Sequence, residues 1–291
     1  MITGATLLEY RKRYSTKTFL KKRLVRTFIP FVFWSIVAFY FLRAEDLYYG
    51  RSIQHWFPSI FGIVNHSYMQ IYWFFVPLFA IYLSMPALNL LSKRWRLIKW
   101  LIVYAFISYS VFPFVTDFMH LNIDKGYRSP ILAGNVLYVL LGYYLHNINP
   151  NKKTRYFIYI LGILGWAVHF FGTLILTPED GGGETINRAF KGYMNFPCVC
   201  YSVAVFVLFK QIDFQKLLHH ELSAKLIGSM HASTLGIYLV HKYLLKIVVP
   251  FFHINDASLT WRIGGTFLIF FMSFVLVQGI KRIPLLRRCV P

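Results

Sequence analysis

The sequence predicts an all-α protein, a polytopic transmembrane helical bundle of about eight spans with both termini in the cytoplasm. Three observations carry this expectation. Of the 291 residues, 57% are apolar and only 14% are charged, more apolar side chain than a soluble core of this length uses. Apolar runs of about 20 residues, the length a helix needs to cross a bilayer, recur along the chain. All but two of the 31 Lys and Arg residues fall between or at the ends of those runs, in an alternating pattern. In lipid every backbone N–H and C=O has to be satisfied within the structure, and runs of this length suit helices rather than the ~10-residue strands of a barrel.

The chain opens on Met1–Leu8, an apolar piece too short to span, followed by the basic run Arg11-Lys12-Arg13; this is not a cleavable signal. The first span is expected at 24–43. Loop 44–71 follows, and Tyr48, Tyr49, His55, Trp56, Phe57, His66 and Tyr68 make it too aromatic for a solvated linker, so it is expected to fold back on the bundle mouth. The span at 72–92 begins with Tyr72 and Trp73, residues that anchor at a membrane interface. Its prolines, Pro77 and Pro86, predict a kinked or broken helix. Further spans are expected at 97–116, 131–147, 156–176, 193–210, 230–250 and 260–280, all within a single membrane-embedded domain covering 1–291. Between the fifth and sixth spans, Pro178-Glu179-Asp180-Gly181-Gly182-Gly183-Glu184 lacks the strand and helix context of a phosphate-binding loop and reads as a flexible turn.

Placing residues 9–23 in the cytoplasm and alternating sides assigns 22 Lys and Arg to the inner segments and 7 to the outer ones, with eight of the 11 acidic residues outside. This is the positive-inside bias. It accounts for the net charge of +20 as topology and removes nucleic acid as the partner it first suggests. Orientation by this rule puts the tail Lys281-Arg282…Arg287-Arg288 in the cytoplasm.

Cys198, Cys200 and Cys289 form no even framework, and Cys-Val-Cys within an apolar run is no metal knuckle; free core thiols are expected, and no metal ligand set. No Asp or Glu lies inside any expected span, which argues against a proton-coupled carrier. The titratable groups left within spans are His169, His231, His241, Lys242 and Lys246. His241 ends the run Ser233-Thr234-Leu235-Gly236-Ile237-Tyr238-Leu239-Val240-His241, about 16 Å into its span at 1.5 Å per residue and so near mid-membrane. Tyr238, three residues earlier, shares its helix face. The pair suits action on one ligand, and it equally suits a histidine hydrogen-bonded between helices. Ser233 and Gly236 permit close helix approach. Arg23 and Arg26, also spaced i,i+3, sit at the inner end of the first span, where they suit either phosphate binding or lipid-headgroup anchoring.

Lys22-Arg23-Leu24-Val25-Arg26 with Pro30, Trp73-Phe74-Phe75 followed by Ile81-Tyr82-Leu83 and Pro86, Leu141-Gly142-Tyr143-Tyr144-Leu145, and Ser233 to His241 together resemble the membrane-bound acyltransferase family 3, O-acyltransferases of extracytoplasmic glycans. The resemblance covers nearly the whole chain. It implies about ten helices, no bound cofactor, acyl-CoA (acetyl-CoA) as a co-substrate taken from the cytoplasm, and transfer to a hydroxyl of a cell-surface or lipid-linked sugar at the plasma or inner membrane. It nominates His241 and Tyr238 as catalytic, and Arg23, Arg26, Trp73, Tyr82 and Ser233 as contacts for acyl-CoA or substrate. One departure stands out: against the family pattern the chain lacks the first helix and most of the second, and with them the histidine that resembles the family's catalytic base. A transporter or flippase of lipid-linked glycan, or a truncated inactive member, are the competing expectations. Membrane lipids, acyl-CoA and a glycan are the expected partners, and nucleic acid is not.

Overall fold

A computed structural model of the chain describes residues 1–51, 55–119, 121, 123, 134–177, 190, 192–214 and 221–291. The helices are α1 (Ile2–Leu7), α2 (Thr16–Tyr48), α3 (Ile60–Val64), α4 (Gln70–Leu91), α5 (Trp95–Phe118), α6 (Gly134–Asn147), α7 (Lys152–Leu176), α8 (Phe196–Gln211), α9 (Glu221–Phe251) and α10 (Trp261–Lys281). There is no strand among the described residues. Among the described residues six helices are long and apolar enough to cross a membrane: α2, α4, α5, α7, α9 and α10. The expected spans at 131–147 and 193–210 correspond to the shorter α6 and α8. The start of the first of these, residues 131–133, lies outside the described residues, as do the glycine-rich turn 178–184 and the outer-loop cations Lys125, Arg128, Arg188 and Lys191.

Local chemistry sets the helix ends and irregularities. Asn151 caps α7 by accepting from the Thr154 N–H at 2.9 Å, satisfying one of the free amides of a helix start. The surface of α7 exposes Ile160, Ile163, Leu164 and Trp166, a face that water would penalise and lipid accepts. α2 contains a π-turn at Leu24–Phe28 and α5 one at Ile107–Val111. Each ends two residues before a proline, Pro30 and Pro113. Proline has no N–H and its ring crowds the carbonyl four residues back, so the turn widens there. Of the kink or break expected at the prolines of α4, the break does not occur. Pro77 falls in the first turn after the 3-10 segment Gln70–Phe74, where its missing N–H is not needed, and Pro86 sits inside a helix that runs on to Leu91. α2 also exceeds its expected span, so Glu45 and Asp46 are helical. Beyond it, Tyr68 turns back to pack edge-on against Phe39 at 5.1 Å, while Tyr48, Trp56 and Phe57 are exposed.

The described chain forms two compact units. Residues Met1–Thr16 and Leu83–Phe214 make the first, Lys17–Tyr82 and Gln215–Pro291 the second. In the first unit helices meet at glycines. A Cβ at Gly4 would strike the Val139 carbonyl and one at Gly142 the Met1 carbonyl, so α1 lies backbone against backbone on α6. A Cβ at Gly165 would come within 2.7 Å of the Pro197 carbonyl, and Gly162 faces Ala204 across the α7–α8 contact. Lys210 closes α6 by donating to the carbonyls of Leu145 at 2.9 Å and His146 at 2.8 Å, which places a cation at the negative end of that helix. Cys198 and Cys200 are free buried thiols, as expected.

The second unit is packed by aromatic side chains that carry hydroxyls. Phe31, Trp34, Tyr72, Phe75 and Tyr243 are its buried centre. The Tyr243 hydroxyl donates to the Trp34 carbonyl at 2.8 Å and lies 3.1 Å from the Tyr72 hydroxyl, which also reaches the Leu239 carbonyl at 3.0 Å. These bonds join α2, α4 and α9. α9 and α10 meet at Gly236, where a Cβ would come within 2.9 Å of Val277; the close approach expected at Ser233 and Gly236 is present.

Candidate functional site

All seven residues nominated by the sequence lie in the second unit. His241 and Tyr238 occupy consecutive turns of α9 with ring centroids 5.8 Å apart. His241 Nδ1 lies 2.8 Å from the Tyr238 carbonyl and 3.3 Å from that of Ile237. A carbonyl can only accept, so Nδ1 carries a proton, and in the neutral ring Nε2 presents a lone pair. The helix thus holds its own histidine in the tautomer that a general base requires. The Tyr238 hydroxyl donates to the Ile71 carbonyl, and its ring packs against Phe74 at 5.9 Å and Phe75 at 6.0 Å. Trp73 packs edge-on against Phe74 at 6.3 Å and is 39% exposed, so it borders this group from the outside.

The remaining nominated residues collect toward the other end of the unit. Tyr82 packs edge-on against Phe19 at 6.3 Å, and the Arg23 and Arg26 guanidinium groups both act on its hydroxyl. Arg23 also lies over the Phe19 ring at 5.8 Å. The π-turn begins between the two arginines, and both still address Tyr82. Ser233 is fully buried; its hydroxyl donates to the Ser229 carbonyl at 2.8 Å and accepts from Gln278 Nε2 at 3.0 Å and Lys281 Nζ at 3.3 Å. It is tied into the α9–α10 contact. The eight residues from Ser233 to His241 separate the two groups by about 12 Å along α9.

At the Arg26 end a cavity of about 520 Å³ is lined by Val25, Arg26, Lys281, Arg287, Arg288, Val290 and Pro291. Its lining has four cationic side chains and no acidic one. In the sequence Lys281, Arg287 and Arg288 are only topology signals. Their role in a cavity depends on the tail turning back, and the one sequence clue is the apolar Cys289-Val290 pair closing a basic segment. At the far end of the unit Lys246 pairs with Glu45 at 2.7 Å, and Asp46 faces Arg43 at 2.8 Å and Arg51 at 3.7 Å. Lys246, read from sequence as a titratable group within a span, is therefore neutralised by a carboxylate that the longer α2 delivers.

No cluster of metal-ligating side chains occurs among the described residues. The six apolar helices mark a multi-pass membrane protein, and its second unit carries an imidazole on one spanning helix and a cationic cavity. The model of the acyltransferase domain of acyltransferase family 3 matches residues 1–278. The chain belongs to that family and is a membrane acyltransferase. No curated protein and no solved structure matches it.

Proposed function

We propose that this acyltransferase moves an acyl group, acetyl in the simplest case, from cytoplasmic acyl-CoA to a hydroxyl of a cell-surface or lipid-linked sugar at the plasma or inner membrane. The observation that carries the reading is the tautomer of His241: with Nδ1–H bonded to the Tyr238 carbonyl, Nε2 is a positioned base within a membrane-spanning helix. In this mechanism Nε2 takes the proton of the acceptor hydroxyl as its oxygen attacks the thioester carbonyl. The Tyr238 hydroxyl, one turn away, exchanges its bond to the Ile71 carbonyl for one to the oxyanion of the tetrahedral intermediate. The C–S bond then breaks, the ester stays on the sugar, and the imidazolium returns the proton to the leaving thiolate. Arg23 and Arg26 serve the phosphates of the donor, which suits guanidinium geometry. Tyr82, which both arginines address, and the bordering Trp73 complete the substrate contacts, and Ser233 supports them from within the α9–α10 contact.

The test is acyl transfer from radiolabelled acetyl-CoA to glycan in proteoliposomes containing only this chain. His241→Ala should lower kcat by about 10²–10⁴-fold, the usual contribution of a general base, with the protein still folded. Wild-type activity in that variant would remove His241 from the mechanism.

A further inference from the structure

The segment that follows α10 is more than a charged tail. Cys289 and Val290 are buried, Val290 completely, and burial raises the Cys289 thiol above its ordinary value. The Trp34 indole N–H donates to the Cys289 carbonyl at 2.8 Å in a buried bond. Val290 packs where Gly236 leaves room, 3.2 Å from the position a Cβ would take. These two contacts pin the segment from two helices, α2 and α9, and hold Arg287 and Arg288 in a 3-10 turn at the rim of the cavity that Arg26 and Lys281 also line. Lys281 is itself fixed, donating to the Ala232 carbonyl at 2.9 Å, and it feels the charge of Arg26. None of the four cations pairs with an acidic side chain among the described residues. Of the carboxylates in this unit's ion pairs, Glu45 and Asp46 are at the opposite end of α2 and Glu221 pairs with Lys225 at the start of α9. Residues 279–291 also fall outside the stretch matched by the family model, which ends at 278.

Cations that only anchor a helix end to headgroups need no common focus and no rigid backbone. Here three guanidinium groups and an ammonium surround one volume, within the ~300–1,000 Å³ range of small-molecule sites, on a backbone held by packing. Like charges gathered this way repel one another unless an anion sits between them, and an anion of several charges suits four cations best. Arginine forks match phosphate oxygens in pairs. Val25, Val290 and Pro291 add an apolar wall.

We propose that the C-terminal segment, with Arg26 and Lys281, forms a recognition site for an anion carrying two or more phosphate groups, and that Arg287 and Arg288 are its specificity-determining residues. The inference rests on the donor reading above only for the identity of that anion: the nucleotide end of acyl-CoA carries such phosphates, and so does a cluster of anionic lipid headgroups. The test uses the full chain in nanodiscs of neutral phosphatidylcholine, with the unreactive donor analogue desulfo-CoA as probe. Arg287→Ala/Arg288→Ala should weaken desulfo-CoA binding at least tenfold and flatten its dependence on salt, with the thermal midpoint unchanged. Arg287→Lys/Arg288→Lys, which keeps the charge, should recover most of the loss. If desulfo-CoA binding is unaffected while the Ala variant loses retention of added phosphatidylglycerol, the site stands and its ligand is the headgroup. If neither changes, or if the Lys and Ala variants lose binding equally and both melt early, the proposal is overturned. A wild type that binds desulfo-CoA through these arginines yet turns over no thioester would sink the catalytic reading alone.

Discussion

The two compact units solve the same problem by opposite means. Lipid is as apolar as a leucine side chain, so spanning helices gain little from hiding hydrophobic surface against one another and must be joined by close backbone packing or by polar links. Residues 1–16 with 83–214 use the first device: Gly4, Gly142, Gly162 and Gly165 let helices touch without intervening side chains. Residues 17–82 with 215–291 use the second, joining helices through the hydroxyls of Tyr72, Tyr243 and Tyr238. All the nominated functional residues lie in the second unit. A contact made by glycine offers no group for chemistry, whereas hydroxyl, imidazole and guanidinium groups brought in to link helices are also groups that can bind and transfer protons.

This contrast can be broken by substitution. The largest effect is expected at Gly142→Leu, which forces a side chain into the Met1 carbonyl and should cost about 3 kcal/mol, read as a lower midpoint for denaturant unfolding in detergent. Gly279→Ala, where nothing lies within 4 Å of the added Cβ, is the matched control in the second unit and should stabilise by about 0.5–1 kcal/mol through helix propensity alone. Tyr243→Phe removes a hydroxyl that serves the Trp34 carbonyl and Tyr72; about 1 kcal/mol should be lost in the same assay, with little change in shape or packing. The Lys246–Glu45 pair is 31% and 30% exposed, and a double-mutant cycle should give a coupling of about 0.5 kcal/mol that shrinks as salt is added.

The smallest effect belongs to Glu9 in the first unit. Its hydrogen bond from Lys12 at 2.7 Å holds the carboxyl below the ordinary 4.5, with Tyr143 contributing a second bond. A lowered folded-state value means that the stabilisation is complete above the ordinary value and is lost as pH falls through the lowered one. Lys12→Met should therefore lower stability at neutral pH and flatten its loss in acid, by a fraction of a kcal/mol because the pair is solvent-screened, as seen in unfolding midpoints measured between pH 7 and pH 3.

The helical class was legible in the sequence because lipid solvation acts on every residue of a span, so the signal accumulates over about 20 positions. His241 and Tyr238 were legible as a pair for a related reason: helix periodicity alone puts i and i+3 on one face. The commitment of Nδ1 to the Tyr238 carbonyl was not legible, since a rotamer decides it. Helix ends were the weakest part. Glu45 and Asp46 look like loop residues by charge, yet α2 carries them helically to Tyr48, where Glu45 meets Lys246. The cationic cavity was invisible for a different reason. Arg287 and Arg288 reach it only because Trp34, 255 residues away in sequence, bonds the Cys289 carbonyl, and no local pattern encodes that bond.

The π-turn at Leu24–Phe28 gives α2 a phase as well as a length. One extra residue in a turn offsets everything before it by roughly 100° relative to everything after it, so the direction in which Arg23 points is set independently of the face that Phe31 and Trp34 bury. Deleting Val25 would restore plain α-helical winding, shorten the span by only about 1.5 Å, and swing Arg23 away from Tyr82 together with the buried Phe19, while leaving Phe31 and Trp34 in place. The aim of the arginine end of this enzyme is in that sense a rotational setting, coupled to the seat of Phe19 on Tyr82 and independent of the Phe31 and Trp34 face.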